Sequence, residues 1–409
     1  MKFAMVINVY IDVDEGTSNP FDHPTKLNSF ENENTLKATV ESIKKLIIEE
    51  QDNLTVYIIA TATQERTDYD EIIRTKIKDC FSDFPYNLMV YTNADIKKLK
   101  EDSTCRFFSV KGYSELRNLG FILPSILKED IIVQIDDDEL LRPLYIEKLK
   151  KVLAAHPDKY LFTAPYEKNG TVRILTEDPL KSWKKFSPMD KDMIRFYENS
   201  EDVKESLFGF GGNMALRREF AENILYPPEV PRGEDFSMLL ASRLVYENGN
   251  DLAGIEKGHE IYRSFFLPYK DMTIIHKPPY EAKKDFLKYF ENNMTRFIME
   301  WGIFIKQKGL TLQRMKELSC YIKEMIGHED ISLYLDIIFQ EMHEHYPADK
   351  IDPIKERLNK LIQFYRSFDR WEEYKKNQKE YIEEIRRLQK EDFQNVITDY
   401  FKESKLVSQ

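Results

Sequence analysis

Apolar and polar positions fall into blocks along the first third of the chain, and the blocks have two different periods. Residues 3–10 (FAMVINVY), 54–61 (LTVYIIAT), 87–92 and 131–135 (IIVQI) are nearly unbroken apolar runs. Short runs of that kind predict strands covered on both faces. Between them, Leu36, Val40, Ile43, Leu46 and Ile47 recur at helical spacing and predict a helix over 34–50, with Asn34 at its N-cap. Further helices are expected over 69–79 and 114–127, and a polar loop carrying Gly16, Pro20 and Pro24 follows the first strand. Strands separated by helices predict a mostly parallel α/β sheet with ligands at the carboxyl ends of its strands.

Near residue 290 the texture changes. Helical patterns rich in Lys, Glu, Tyr and Phe cover 291–307, 311–326, 331–345, 352–366 and 370–402, with Pro347 and Pro353 expected as breaks. The expected division is an α/β domain over 1–290 and an all-α C-terminal appendage over 291–409. The evenly mixed charges of the last helix read as a solvated face. A homo-oligomer contact is the other role expected of these helices.

Composition narrows the functions open to such a chain. With 42% apolar and 32% charged residues among 409, it is a globular protein of two-domain size. A net charge of -11 excludes a general nucleic-acid binder, which needs a basic field. Any anionic ligand must then be neutralised locally, by a metal or a few cations. Cys80, Cys105 and Cys320 have no paired spacing and read as reduced thiols. Residues 3–10 lack the basic flank and cleavage site of a signal peptide, and no stretch approaches the ~20 apolar residues that span a bilayer. The expectation is a soluble cytoplasmic protein, with peripheral contact at the membrane left open.

The chemistry begins where the run 131–135 ends in Asp136-Asp137-Asp138-Glu139. Four adjacent carboxylates repel one another, and a divalent cation with a taste for hard oxygen ligands, Mg²⁺ or Mn²⁺, resolves the conflict. The plainer alternative is an acidic surface turn leading into a helix near Pro143. Upstream, Arg117 is a cation able to pair with an aspartate or a phosphate, or an ordinary surface arginine. Downstream come Phe208-Gly209-Phe210-Gly211-Gly212-Asn213, whose glycines allow close backbone approach to a ligand, then Arg232-Gly233-Glu234-Asp235-Phe236, then His276 at a strand end. Trp183, Phe186 and Tyr197 read either as sugar-stacking groups or as core. Asp12-Val13-Asp14-Glu15-Gly16 lacks the closing Glu of a calcium loop, and His343 and His345 do not share a helix face.

Taken in order, these blocks resemble GT-A glycosyltransferases, family 2 and its relatives, over about residues 3–280. Asp136-x-Asp138-Glu139 followed by Pro143 resembles their DxD element. Gly112 to Gly120, with Arg117, resembles their donor-holding segment. Phe208 to Glu219 is similar to their acceptor-side glycine segment, and Glu234-Asp235 to the ED pair that opens their acceptor-side helix. Arg243 and Gly249 echo that helix with a shift of two or three residues.

The resemblance implies a GT-A fold, Rossmann-like with a mostly parallel sheet flanked by helices, and a Mn²⁺ or Mg²⁺ cofactor held by Asp138 and His276 with Asp136. It implies donor contacts from Arg117, Asp136, Asp137 and Asp138, and acceptor contacts from Gly211, Gly212 and Asn213. Asp235 is the implied catalytic base, with Glu234 in reserve. The implied activity belongs to carbohydrate biosynthesis: transfer of a hexose from a UDP- or GDP-linked donor to a glycan, lipid-linked or small-molecule hydroxyl, with inversion as in family 2, although some retaining GT-A families also carry a DxD, a glycine pair and a late histidine. The competing expectations are a sugar nucleotidyltransferase, against which the missing glycine-rich N-terminal loop weighs, and a non-catalytic nucleotide-sugar-binding assembly module.

Overall fold

The computed structural model describes residues 1–13, 24–249, 259–278, 285–390 and 393–395. Asp14, Glu15, Gly16, Pro20, Pro279 and the expected helix end at 396–402 lie outside them.

The α/β part runs β1 (Lys2–Asp12), β2 (Thr25–Lys26), α1 (Phe30–Glu33), α2 (Leu36–Ile43), β3 (Asn53–Ala62), α3 (Asp70–Cys80), β4 (Asn87–Tyr91), α4 (Asn93–Ser103), α5 (Tyr113–Ile126), β5 (Ile131–Asp136), β6 (Glu139–Leu140) and α6 (Tyr145–Ala155). It continues through β7 (Leu161–Thr163), β8 (Tyr166–Glu167), α7 (Phe186–Met193), β9 (Lys204–Glu205), β10 (Met214–Arg217), α8 (Arg218–Ala221), α9 (Glu234–Glu247), β11 (Ser264–Phe266) and β12 (Ile274–His276). The helical region follows: α10 (Phe286–Phe304), α11 (Leu312–Leu318), α12 (Cys320–Ile326), α13 (Ile331–Met342), α14 (Ala348–Ser367) and α15 (Arg370–Leu388).

The main sheet has the order β4-β3-β1-β5-β10-β7-β11-β9, with β2 added beside β1. β4, β3, β1 and β5 are mutually parallel, whereas β10 runs antiparallel to both β5 and β7. A second sheet, β6-β12-β8, stands at the carboxyl end of β5. This is a mixed α/β fold with a mostly parallel centre flanked by helices and a helical C-terminal region.

The strand period separates two cores. Phe3, Met5, Ile7, Val9 and Ile11 of β1 face one side, together with apolar residues of α2, α3 and α6. Ala4 and Val6 face the other, where one continuous apolar cluster runs from α5 and α9 through Leu388 of α15. The change of texture near 290 therefore marks a change to all-helical structure that shares a core with the sheet. Side chains lock the two parts together as well: Gln378 Nε2 donates to the Asn223 carbonyl at 2.7 Å and the Tyr381 hydroxyl to the Ala221 carbonyl at 2.8 Å.

Several local expectations are corrected. The helix expected over 34–50 ends at Ile43, and Asn34 stands two residues before it, accepting the Leu36 N–H at 2.6 Å. The pattern over 311–326 is two helices, because Ser319 takes an extended conformation and caps α12 with its hydroxyl. Pro353 lies inside α14 and does not end it. The helix α4 was not expected at all.

Among the described residues no helix is long and apolar enough to cross a membrane. Cys80, Cys105 and Cys320 are all free thiols.

Candidate active site

Strand β5 lies beside β1, in register so that Asp136 is opposite Asn8, and it delivers the acidic run to the carboxyl edge of the sheet. There the chain turns. The Asp136 N–H donates to Glu139 Oε2 at 2.8 Å, so Glu139 folds back, buried, and closes the turn from beneath. Asp136, Asp137 and Asp138 are left half-buried at its rim.

Residues Glu139–Leu140 then pair antiparallel with β12, placing His276 opposite Glu139, and the Lys277 N–H donates to the Asp138 carbonyl at 2.8 Å. This small ladder sets His276 Nε2 3.1 Å from Asp138 Oδ2. The Tyr166 ring centroid is 4.9 Å from the imidazole, whose buried Nδ1 has no hydrogen-bond partner among the described residues.

Arg117 connects the acidic turn to the head of α9. Its Nη2 donates to Asp136 Oδ1 at 2.7 Å and its Nε to Glu234 Oε1 at 3.1 Å, and the side chain is buried. Helix α9 starts after Gly233, which sits at φ +69 and so in the region that favours glycine. Asp235 is held at both oxygens by backbone N–H groups, from Gly211 at 2.9 Å and from Phe236 at 2.8 Å.

The glycine segment thus lies directly across the ED pair. Any Cβ on Gly211 would stand 3.2 Å from both Arg117 Nη2 and the Asp235 Cβ, and one on Gly212 would overlap the Glu139 carboxylate. Their bare backbones are what let the segment close over the site.

These groups line one cavity of about 340 Å³: Arg117, Asp136, Asp137, Asp138, Gly211, Gly212, Glu234, Asp235 and His276 all reach it. Asn213 does not. Its amide donates to the carbonyls of Pro165 and Met272 and accepts from the Tyr145 hydroxyl, all within 2.9 Å, so it braces the loops beneath the floor. Of the aromatic candidates, Trp183 is fully buried against Phe290, with ring centroids 5.0 Å apart, and belongs to the core. Arg243, also buried, pairs with Glu205 and Glu247.

The charges in this cavity act strongly on one another. Burial pushes the Asp137 carboxyl well above the usual carboxylate range, and the neighbouring Asp138 and Asp136 push it further. Glu139 is raised by burial and then by Asp136 and Asp138. Glu234 and Asp235 are raised chiefly by burial as well, against the pull of Arg117 on the first and Arg296 on the second.

Sequence reasoning missed a large part of the lining. Tyr10 and Tyr113 stand edge to face with centroids 5.4 Å apart beside Arg117. Lys185, Arg232, Arg296 and Tyr321 also reach the cavity, the last two from α10 and α12. Arg232 stands in the ED block itself without a role assigned to it, while Lys185, Arg296 and Tyr321 lie too far apart along the chain to leave a spacing pattern.

No family model and no curated protein matches the sequence. Among solved structures, the chain is similar to a mannosyltransferase from Pyrobaculum calidifontis in complex with GDP-Man and Mn2+. The identity is 12%, the match covers 95% of this chain and 87% of that one, and the TM-score is 0.48.

Proposed function

We propose that the chain is a metal-dependent glycosyltransferase of the GT-A kind, moving a sugar from a UDP- or GDP-linked donor to an acceptor hydroxyl. The observation that carries this reading is the meeting of Asp138 and His276 at 3.1 Å in the cavity that also holds Asp235.

A carboxylate and an imidazole so placed suit Mn²⁺ or Mg²⁺, with positions left over for phosphate oxygens and water. Among the described residues no three His, Cys, Asp or Glu side chains form a ready-made cluster, so the donor would complete the coordination. The electrostatics agree: carboxyls driven toward protonation by burial and then by their acidic neighbours, as Asp137 and Glu139 are, would be stabilised in their charged form by a divalent ion. Asp138 and His276 would hold the ion, and Asp136 would reach it directly or through water. When bound, it supplies Lewis-acid stabilisation of the charge that grows on the leaving diphosphate.

The remaining steps fall to the chain's own side chains. Asp235 accepts the proton of the acceptor hydroxyl while that oxygen bonds to the anomeric carbon. The bond from this carbon to the diphosphate oxygen breaks, and the electron pair leaves with the nucleoside diphosphate. A single displacement of this kind inverts the anomeric centre, and base catalysis typically contributes ~10²–10⁴-fold. Two backbone N–H groups keep the Asp235 carboxylate in one orientation, which is what a base needs to meet a hydroxyl repeatedly in one geometry. Glu234, tied to Arg117, is the reserve base. Gly211 and Gly212 offer bare backbone to the acceptor, and Arg117 holds Asp136 in place for the donor.

Calorimetric titration of UDP, GDP and their sugar conjugates, with Mn²⁺ and with chelator, tests the reading. Metal-dependent binding of one nucleotide, lost in Asp138→Ala, supports it. A folded protein that binds no nucleoside diphosphate would reject it.

A further inference from the structure

The contacts around the cavity form a chain with a direction. Asp136 is bound by Arg117, Arg117 by Glu234, and Asp235 next to it faces the charge of Arg296. Arg296, buried on α10, donates to the Gly233 carbonyl at 3.2 Å and to the Tyr321 hydroxyl at 2.6 Å. Gly233 lies so close that a Cβ there would overlap the Arg296 guanidinium. Beyond it, the Arg232 guanidinium lies 4.9 Å from the Tyr289 ring centroid, and buried Lys185 donates to the Tyr289 hydroxyl. The ED pair therefore stands between an acidic end and an end built from three cations and two tyrosines, where one carboxylate, buried Glu300, lies 3.7 Å from Arg296.

We propose that this cationic end is the acceptor subsite, and that it takes an acceptor carrying a phosphate ester or carboxylate near the hydroxyl presented to Asp235. The assignment of that hydroxyl rests on the transferase reading above. Three arguments support an anion. Lys185, Arg232 and Arg296 converge on one cavity in a chain whose net charge is -11, so the bulk field does not put them there. Burial pushes the Arg232 guanidinium below its usual range and the positive Arg296 beside it adds to the effect, with Tyr289, Glu234 and Tyr321 offsetting only part of it. An anion between them would relieve both costs, and guanidinium groups hold phosphate and carboxylate through paired N–H donors. Tyr321 and Asn293 also line this end of the cavity, and Tyr289 stands behind it, under the Lys185 and Arg232 charges. The subsite is thus completed by the helical region, which supplies Asn293, Arg296 and Tyr321.

The test uses full-length protein saturated with nucleoside diphosphate and Mn²⁺, so that the donor site is filled. Glucose, glucose 6-phosphate and glucuronate are titrated by calorimetry, and phosphatidylglycerol vesicles are added in a separate sedimentation arm. The expectation is binding of the anionic sugars about tenfold or more tighter than glucose, or vesicle binding if the phosphate comes from a lipid. In either arm Arg232→Gln should remove the preference and Arg232→Lys should restore part of it, consistent with the loss of a charge-assisted hydrogen bond. Equal binding of glucose and its anionic forms with no vesicle binding would overturn the proposal, as would an anion preference that Arg232→Gln leaves intact. If the nucleoside diphosphate itself fails to bind, the transferase reading falls. The same titrations on the unliganded chain then decide the anion site alone.

Discussion

His276 Nε2 lies 3.1 Å from Asp138 Oδ2, and that separation is set by backbone pairing of β12 with β6, which begins one residue after Asp138. If this pair holds the metal, Asp138→Ala should lower Mn²⁺-dependent nucleotide affinity by at least ~100-fold, and His276→Ala by about 10–100-fold. Thermal melting of both variants without metal should stay near wild type. Calorimetry with and without chelator measures the first effect and a melting curve the second.

Asp235 should show itself in a pH profile. Its carboxyl is raised chiefly by burial, and a base works only when deprotonated. Turnover should therefore fall as pH drops, with the acid limb centred above the ~3.9 of a free aspartate. Asp235→Asn should cut kcat by ~10²–10⁴-fold and leave donor affinity unchanged. A flat profile, or full activity in the variant, would move the role to Glu234.

The Gly212→Ala variant should be damaged twice. The added methyl overlaps the Glu139 carboxylate, which accepts the Asp136 N–H at 2.8 Å and closes the acidic turn. Overpacking of this sort costs about 1–3 kcal/mol, and metal affinity should drop along with Tm.

How far was all this legible beforehand? The buried runs of β1, β3, β4 and β5 were plain, because strands covered on both faces leave continuous apolar letters. The acidic turn was legible for the same reason, since it interrupts such a run abruptly. Helix α4 was not, although Thr92 and Asp95 form a reciprocal capping box at its start. Its buried apolar residues, Ile96 and Leu99, are too few to print a period. The break at Ser319 was also hidden. Its cause is remote: buried Asp192 accepts the N–H groups of Cys320 and Tyr321 at 2.8 and 2.9 Å and the Ser319 hydroxyl at 2.8 Å. The cationic end of the cavity was not legible because Lys185 and Arg296 come from segments remote from Arg232, which alone stands beside the ED pair.

A chain stopped after residue 290 should fail to fold. The Tyr374, Gln378 and Tyr381 side chains of α15 satisfy the carbonyls of Leu225, Asn223 and Ala221, and the apolar cluster beneath them is shared. Its removal would leave those carbonyls under an exposed apolar face. Far-UV dichroism during heating is the check, and a sharp cooperative transition in the shortened chain would argue for an independent domain.

Glu205 should make stability depend on acid. Burial would raise its carboxyl, but Arg263 and Arg243 draw it down to about 2, and Arg314 binds it at 2.7 Å. A depressed carboxylate stabilises the fold above its unfolded pKa, and that contribution fades as pH falls toward the folded value. Glu205→Gln should cost about 1–2 kcal/mol near neutrality, once solvent screening is allowed for. Denaturant titrations should show the gap from wild type shrinking below about pH 4.5.

The strand Ile274–His276 has only three residues, yet it is paired on both sides, with Glu139–Leu140 and with Tyr166–Glu167. Side chains on a strand point alternately to its two faces, so the imidazole meets Asp138 in one parity only. A single residue added or lost between Met272 and Ile275 would exchange the faces of Ile275 and His276 and carry the imidazole to the far side of the small sheet. Within the paired strand, length changes keep the imidazole on its face only in steps of two. In a library of length variants, those that keep the imidazole on Asp138 without a compensating loop should therefore differ by even numbers of residues.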